Sequence, residues 1–132
     1  MGAVAGPNII VLMLTAMEHD LQSRINTKMD TQMLMSMQSI FFGNAKAALY
    51  GQLQSLTPQD TNGRTNPNYQ AIYNKIQQLE QKEKVLQAME KTLDMEMKQL
   101  ENQLKITQQR KEAAEKMRDK NIEGAFSYGH GR

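Results

Sequence analysis

The residues best suited to chemistry in this chain are few, and they sit together as "EHD", Glu18, His19 and Asp20. Two carboxylates and an imidazole are the side chains that hold metals or relay protons. On a helix, however, neighbouring side chains point about 100° apart, so these three cannot converge on one ion. A second ligand one turn from His19 would rescue the site, but position 23 is Ser and position 15 is Thr. The other histidine, His130, stands alone near the C-terminus. The chain has no cysteine, which removes a thiol nucleophile, a disulfide framework and a Cys-based zinc site. No Gly-rich phosphate loop, nucleophile elbow or paired-carboxylate constellation is present either. The expectation is a protein that is not an enzyme, with no cofactor and no metal.

A second pattern is charged. Lys84, Lys91, Lys98 and Lys105 recur every seven residues, with Glu80, Gln87, Asp94 and Glu101 four residues before them. Such a ridge could bind a polyanion. An acid placed four residues ahead of a base is also the favourable orientation for an ion pair on a helix surface, worth about 0.2–0.5 kcal/mol. With a net charge of only +2, a self-neutralised, solvated face is the stronger reading, and no nucleic-acid partner is expected.

The elements carrying these residues follow from punctuation and period. The segment 55–68, "SLTPQDTNGRTNPN", gathers Pro, Gly, Asn, Asp and Thr and reads as a loop. Asn66 before Pro67 is a helix start, an Asx cap followed by the fixed φ of proline. From 67 to about 118 there is neither Gly nor another Pro, and Ile72, Ile76, Leu79, Leu86, Leu93, Met97, Leu100 and Leu104 recur at threes and fours. Those eight residues define an intrachain hairpin seam. Its alternate positions include Glu83 and Glu90, which a free two-stranded coiled coil would not place there without partners. This helix is therefore expected to pack on another segment of the same chain.

That segment is the N-terminal half, read as a helix over about 8–55 with Asn8 as its cap. Ile10, Leu14, Met17, Leu21, Ile25, Met29 and Met33 step along one side, and Gly43 in "SIFFGN" is a place for a bend. Only eight of the 30 Asp, Glu, Lys and Arg residues lie in 1–66. Eleven methionines and few aromatics also favour helix–helix packing over a β-sandwich. The predicted fold is all-α: one domain over 1–132, an elongated, coiled-coil-like antiparallel hairpin with a loop over about 56–66. Its second helix is expected over about 67–120, and a C-terminal tail over 121–132.

Two helices cover one stripe of each other, yet "IIVLMLTAM" (9–17) and "MLMSMQSIFF" (33–42) are apolar nearly all round. A helix with that character must be surrounded. Leaving half of six such side chains in water would forfeit several kcal/mol at ~25 cal/mol per Å². Lipid is a poor cover. The uncharged N-terminal run offers about nine helical apolar residues where a span needs roughly 20, and a secretory signal needs basic residues before its apolar core, whereas the first basic residue is Arg24. Gly2 lacks the Ser or Thr at position 6 that myristoylation requires. The expectation is a chain that completes its core by oligomerisation. Its interface residues are Ile9, Ile10, Val11, Leu12, Leu14, Met17, Leu21, Ile40, Phe41 and Phe42, joined at the C-terminus by Ile122, Phe126 and Tyr128.

A cysteine-free chain with an apolar N-terminal helix, the Pro-containing connector "LTPQD", a Gln/Lys/Glu-rich second helix and a short C-terminus with "NIEGAF" resembles the secreted helical-hairpin subunits of bacterial polymers: flagellins and type III secretion needle or filament proteins. The resemblance implies a structural subunit that joins copies of itself into a helical filament or tube. "IIVLMLTAM" would face inward and the Lys84–Lys105 face outward. It also implies export by a non-Sec route to the cell surface, with a secretion apparatus or chaperone as a further partner; cytoplasmic assembly is the alternative. Two other classes fit the residues less fully: a helical adaptor or secretion chaperone completed by a client helix, and a membrane-active amphipathic protein.

Overall fold

The computed structural model describes residues 2–130, and side chains for Gly6 and for 8–122. The fold is an all-α antiparallel hairpin of two helices, α1 (Gly2–Gln54) and α2 (Pro67–His130), with no strand among the described residues. α1 starts at Gly2, ahead of the expected cap, so Asn8 lies inside the helix and exposed. The helix also continues through Gly43 and Gly51. α2 runs to His130 rather than ending near 120, carrying the expected tail, Gly124 included, as helix. One glycine costs about 1 kcal/mol, and no proline follows to force a stop.

The connection is built as the loop chemistry demands. Gly63 has φ of 75°, the left-handed region that glycine enters without a Cβ penalty. Its amide donates to the Asp60 carbonyl at 3.1 Å, closing a turn. The Asp60 carboxylate accepts from the amides of Asn62 and Arg64, each at 2.9 Å. Gln59 and Thr65 form an isolated antiparallel bridge. Asn66 caps α2 as expected, its Oδ1 accepting the amide of Asn68 at 3.0 Å.

Helix packing divides into two compact units, one from 1–28 with 95–132 and one from 29–94. In the first, Val11, Leu14 and Ala114 form a buried cluster, and Leu21, Ile25, Met97 and Thr107 are buried as well. Thr107 satisfies its hydroxyl within its own helix, donating to the Gln103 carbonyl at 2.8 Å. In the second unit the buried side chains are Met35, Ile76, Leu86 and Leu93, with Ile76 only 1% exposed. Phe42, Leu49, Leu53, Ile72 and Leu79 are half-buried around them.

Ile72, Ile76, Leu79, Leu86, Leu93, Met97, Leu100 and Leu104 are each buried or half-buried, and so are Glu83, Glu90, Lys111 and Arg118 at the charged seam positions. On α1 the phase differs from the sequence reading. Val11, Leu14, Glu18, Leu21, Ile25, Lys28 and Met35 face inward, while Ile10, Met17, Met29 and Met33 are exposed. Where nearly every side chain is apolar, period does not select a stripe, and the inward face includes charged residues that pair across the hairpin. In the first unit Glu18 meets Lys111 at 3.7 Å, and Lys28 contacts Glu96. In the second, Lys46 meets Glu83 at 3.2 Å. Glu83 and Lys111 on the seam of α2, and Glu96 beside it, thus each meet an opposite charge on α1.

Candidate assembly surface

The residues that suggested chemistry are dispersed by the fold. Glu18 is turned toward Lys111, Asp20 pairs with Arg24 one turn along at 3.0 Å, and His19 faces solvent. Among the described residues no three His, Cys, Asp or Glu side chains approach as metal ligands would. Lys84, Lys91, Lys98 and Lys105 are all exposed, as a solvated ridge requires. Glu80, the acid preceding the first of them, also accepts a hydrogen bond at 3.1 Å from the Tyr50 hydroxyl. That bond, reinforced by burial and by the Glu80 charge, raises the Tyr50 pKa above its ordinary value, against a smaller lowering by Lys46.

What the fold assembles instead is apolar. In the second unit the inward face of α1 carries Met35, Phe42, Lys46 and Leu49. Successive helical residues turn by 100°, which places Met29, Met33, Leu34, Met37, Ile40 and Phe41 on the opposite side, and all six are exposed. Phe41 is 66% exposed, and its ring meets the edge of Phe42 with centroids 6.1 Å apart at 61°. Between Asp30 and Asp60 the chain has one charged residue, Lys46, and that residue is the one turned inward to Glu83. The outward face of α1 over this stretch therefore carries no charge at all. Charged side chains normally supply the solubility of an exposed helix face, and scattered single apolar residues need no explanation. A contiguous uncharged band of Met, Leu, Ile and Phe does.

In the first unit Ile9, Ile10, Leu12, Met13 and Met17 are exposed, Leu12 by 69%. Glu18 and Asp20 follow directly, so this apolar patch is shorter.

Of the predicted interface residues, Ile9, Ile10, Leu12, Met17, Ile40, Phe41 and Ile122 face outward. Val11, Leu14 and Leu21 do not; they are buried within the chain, because each helix covers one stripe of the other and these three lie on the covered stripe of α1. Phe42 is half-buried. Phe126 and Tyr128 lie outside the residues whose side chains are described. Sequence reasoning missed Met13, Met29, Met33, Leu34 and Met37 as exposed members of the surface, having assigned Met29 and Met33 to the inner stripe. The absence of charge over 31–59 apart from Lys46 was the signal available for them.

No helix among the described residues is long and apolar enough to cross a membrane. Comparison with protein-family models, curated proteins and solved structures finds no match. What the structure supports of the resemblance is the layout alone, a two-helix all-α hairpin.

Proposed function

We propose that this chain is a structural subunit that assembles with copies of itself through the outward face of α1. The observation that carries the reading is the uncharged band bearing Met33, Leu34, Met37, Ile40 and Phe41, with the one lysine of the stretch withdrawn to Glu83. Fully burying a side chain of this class stabilises by about 1.5–3 kcal/mol, so covering one already half covered contributes about 1 kcal/mol. With Met29 included, six such residues on each of two copies contribute roughly 12 kcal/mol, against an association cost of about 4–15 kcal/mol. A contact of this kind is concentration-dependent, and it gains from repetition along a polymer. A helical filament or tube is the form that the flagellin and needle-subunit layout suggests, with export to the cell surface as its setting.

The test is the particle size of the purified chain over a hundredfold range of concentration, by multi-angle light scattering with negative-stain microscopy. Large regular particles are expected. Phe41→Glu and Leu12→Glu, each placing a charge on an outward position, should dissolve them while helix content by circular dichroism is unchanged. A parent chain that stays monomeric throughout would overturn the proposal.

A further inference from the structure

Sulfur is distributed unevenly between the inside and the outside of this fold. Ten of the twelve leucines are buried or half-buried, whereas eight of the ten methionines among the described residues are exposed. Interior packing is given to the branched aliphatics and methionine is kept on the surface. The densest group is Met29, Met33 and Met37, at intervals of four on α1. Each step of four advances about 6 Å and turns about 40°, so the three thioethers form a row. They are 52%, 60% and 60% exposed. Met35, in the midst of the same row in sequence, is 8% exposed on the other side of the helix. The chain has no cysteine, so no thiolate competes for an oxidant and methionine is the readily oxidised sulfur.

We propose that Met29, Met33 and Met37 are a reversible oxidation site that switches the association surface of the second unit; the switch rests on the assembly reading above. The reagent is a peroxide. A thioether lone pair attacks one peroxide oxygen, an S–O bond forms and the O–O bond breaks. The departing hydroxide takes up a proton and leaves as water. Sulfur gives up two electrons and the peroxide accepts them. The product sulfoxide is polar and a strong hydrogen-bond acceptor, so three of them on an uncharged band convert an apolar row into a hydrated one. Reversal consumes two thiols, which become a disulfide, and releases the oxygen as water. Since this chain holds no thiol, reduction falls to a separate thiol-dependent methionine sulfoxide reductase.

The experiment treats the full chain, held below its assembly concentration, with hydrogen peroxide and follows each methionine by peptide mass spectrometry. Met33 and Met37 should gain oxygen at least tenfold faster than Met35, and the difference should vanish in denaturant. After removal of peroxide the chain is concentrated, and the oxidised form should need at least tenfold more protein to assemble, with circular dichroism unchanged. A variant carrying Met29→Leu, Met33→Leu and Met37→Leu should assemble as the parent does and ignore peroxide. Equal rates at Met33 and Met35 in the folded chain would overturn the site. Unaltered assembly of the fully oxidised parent, or loss of assembly in the oxidised triple variant, would overturn the switch. An untreated chain that never assembles removes the assembly reading and the switch with it, and the Met33-to-Met35 rate ratio still decides the site.

Discussion

The Lys46–Glu83 pair offers the sharpest test of how the second unit is held. Lys46 Nζ lies 3.2 Å from Glu83 Oε1 and donates to Oε2 at 3.4 Å, and the two side chains are 25% and 23% exposed. Oε1 is itself buried and receives no aligned donor, so the ammonium is its main compensation. An exposed pair is worth about 0–1 kcal/mol, and breaking a fully buried one costs about 3–5 kcal/mol. Three-quarters burial puts the loss between these, so Lys46→Met should destabilise by about 2 kcal/mol. Most of that is the penalty of leaving the Glu83 carboxylate half-buried and unpaired. Lys46→Met with Glu83→Leu removes both charges and should return to within about 1 kcal/mol of the parent, because an apolar pair of similar volume is often neutral or better. Urea unfolding followed by far-ultraviolet circular dichroism, at concentrations below assembly, gives all four corners of the cycle. The midpoint should move without a change in slope. Lys46→Met and Glu83→Leu each lying within about 0.5 kcal/mol of the parent would refute the reasoning, since the charges would then be solvated rather than half-buried.

Other substitutions probe the rest of the frame by the same unfolding assay. Ile76→Ala should cost about 2–5 kcal/mol, the range for a core residue that leaves a cavity. Asn66→Ala, which removes the acceptor for the Asn68 amide, should cost about 0.5–2 kcal/mol. One substitution should act in opposite directions at two glycines. Gly43→Ala, in mid-helix with open space around an added Cβ, should stabilise by about 0.5–1 kcal/mol, whereas Gly63→Ala at positive φ should destabilise by about 1–2 kcal/mol. Because the folded-state pKa of Tyr50 is raised above its ordinary value, the stabilising bond to Glu80 is fully present below that ordinary value and is lost as pH rises through the folded one. Ultraviolet titration should show a late-ionising phenol that disappears in Tyr50→Phe and moves to lower pH in Glu80→Gln.

α2 was legible because its two faces differ in kind. Every gap between seam positions from Ile72 to Arg118 contains Lys, Glu or Gln, and one phase satisfies the period, so the inward row could be read off directly. α1 offered no such contrast. In "IIVLMLTAM" and "MLMSMQSIFF" almost any stripe is apolar, and hydrophobic period cannot choose among equivalent stripes. The fold turns Glu18, Lys28 and Lys46 toward Lys111, Glu96 and Glu83, three pairings that hydrophobic period does not mark. Val11 proved internal and Met29 and Met33 external, while Leu14, Leu21 and Ile25 kept to the stripe read from the sequence. The surplus of apolar surface over what two helices can hide was nonetheless visible in the sequence.

The turn at 59–66 has a consequence for alignment. In the second unit Lys46 faces Glu83, and one heptad further along α2 stands Glu90, a second half-buried acid. Sliding one helix past the other by seven residues would present Lys46 with another carboxylate and exchange one apolar row for the next. The charges select a face without selecting a notch on it. The notch is fixed at the connection, where the Gln59–Thr65 bridge, the Asp60 carboxylate and the Asn66 cap leave no spare chain to feed into a slipped alignment. The turn is the zero mark of the ruler along which the two helices of this unit are paired. Lengthening it by a few Gly and Ser residues would free the second unit to occupy two alignments where it now has one.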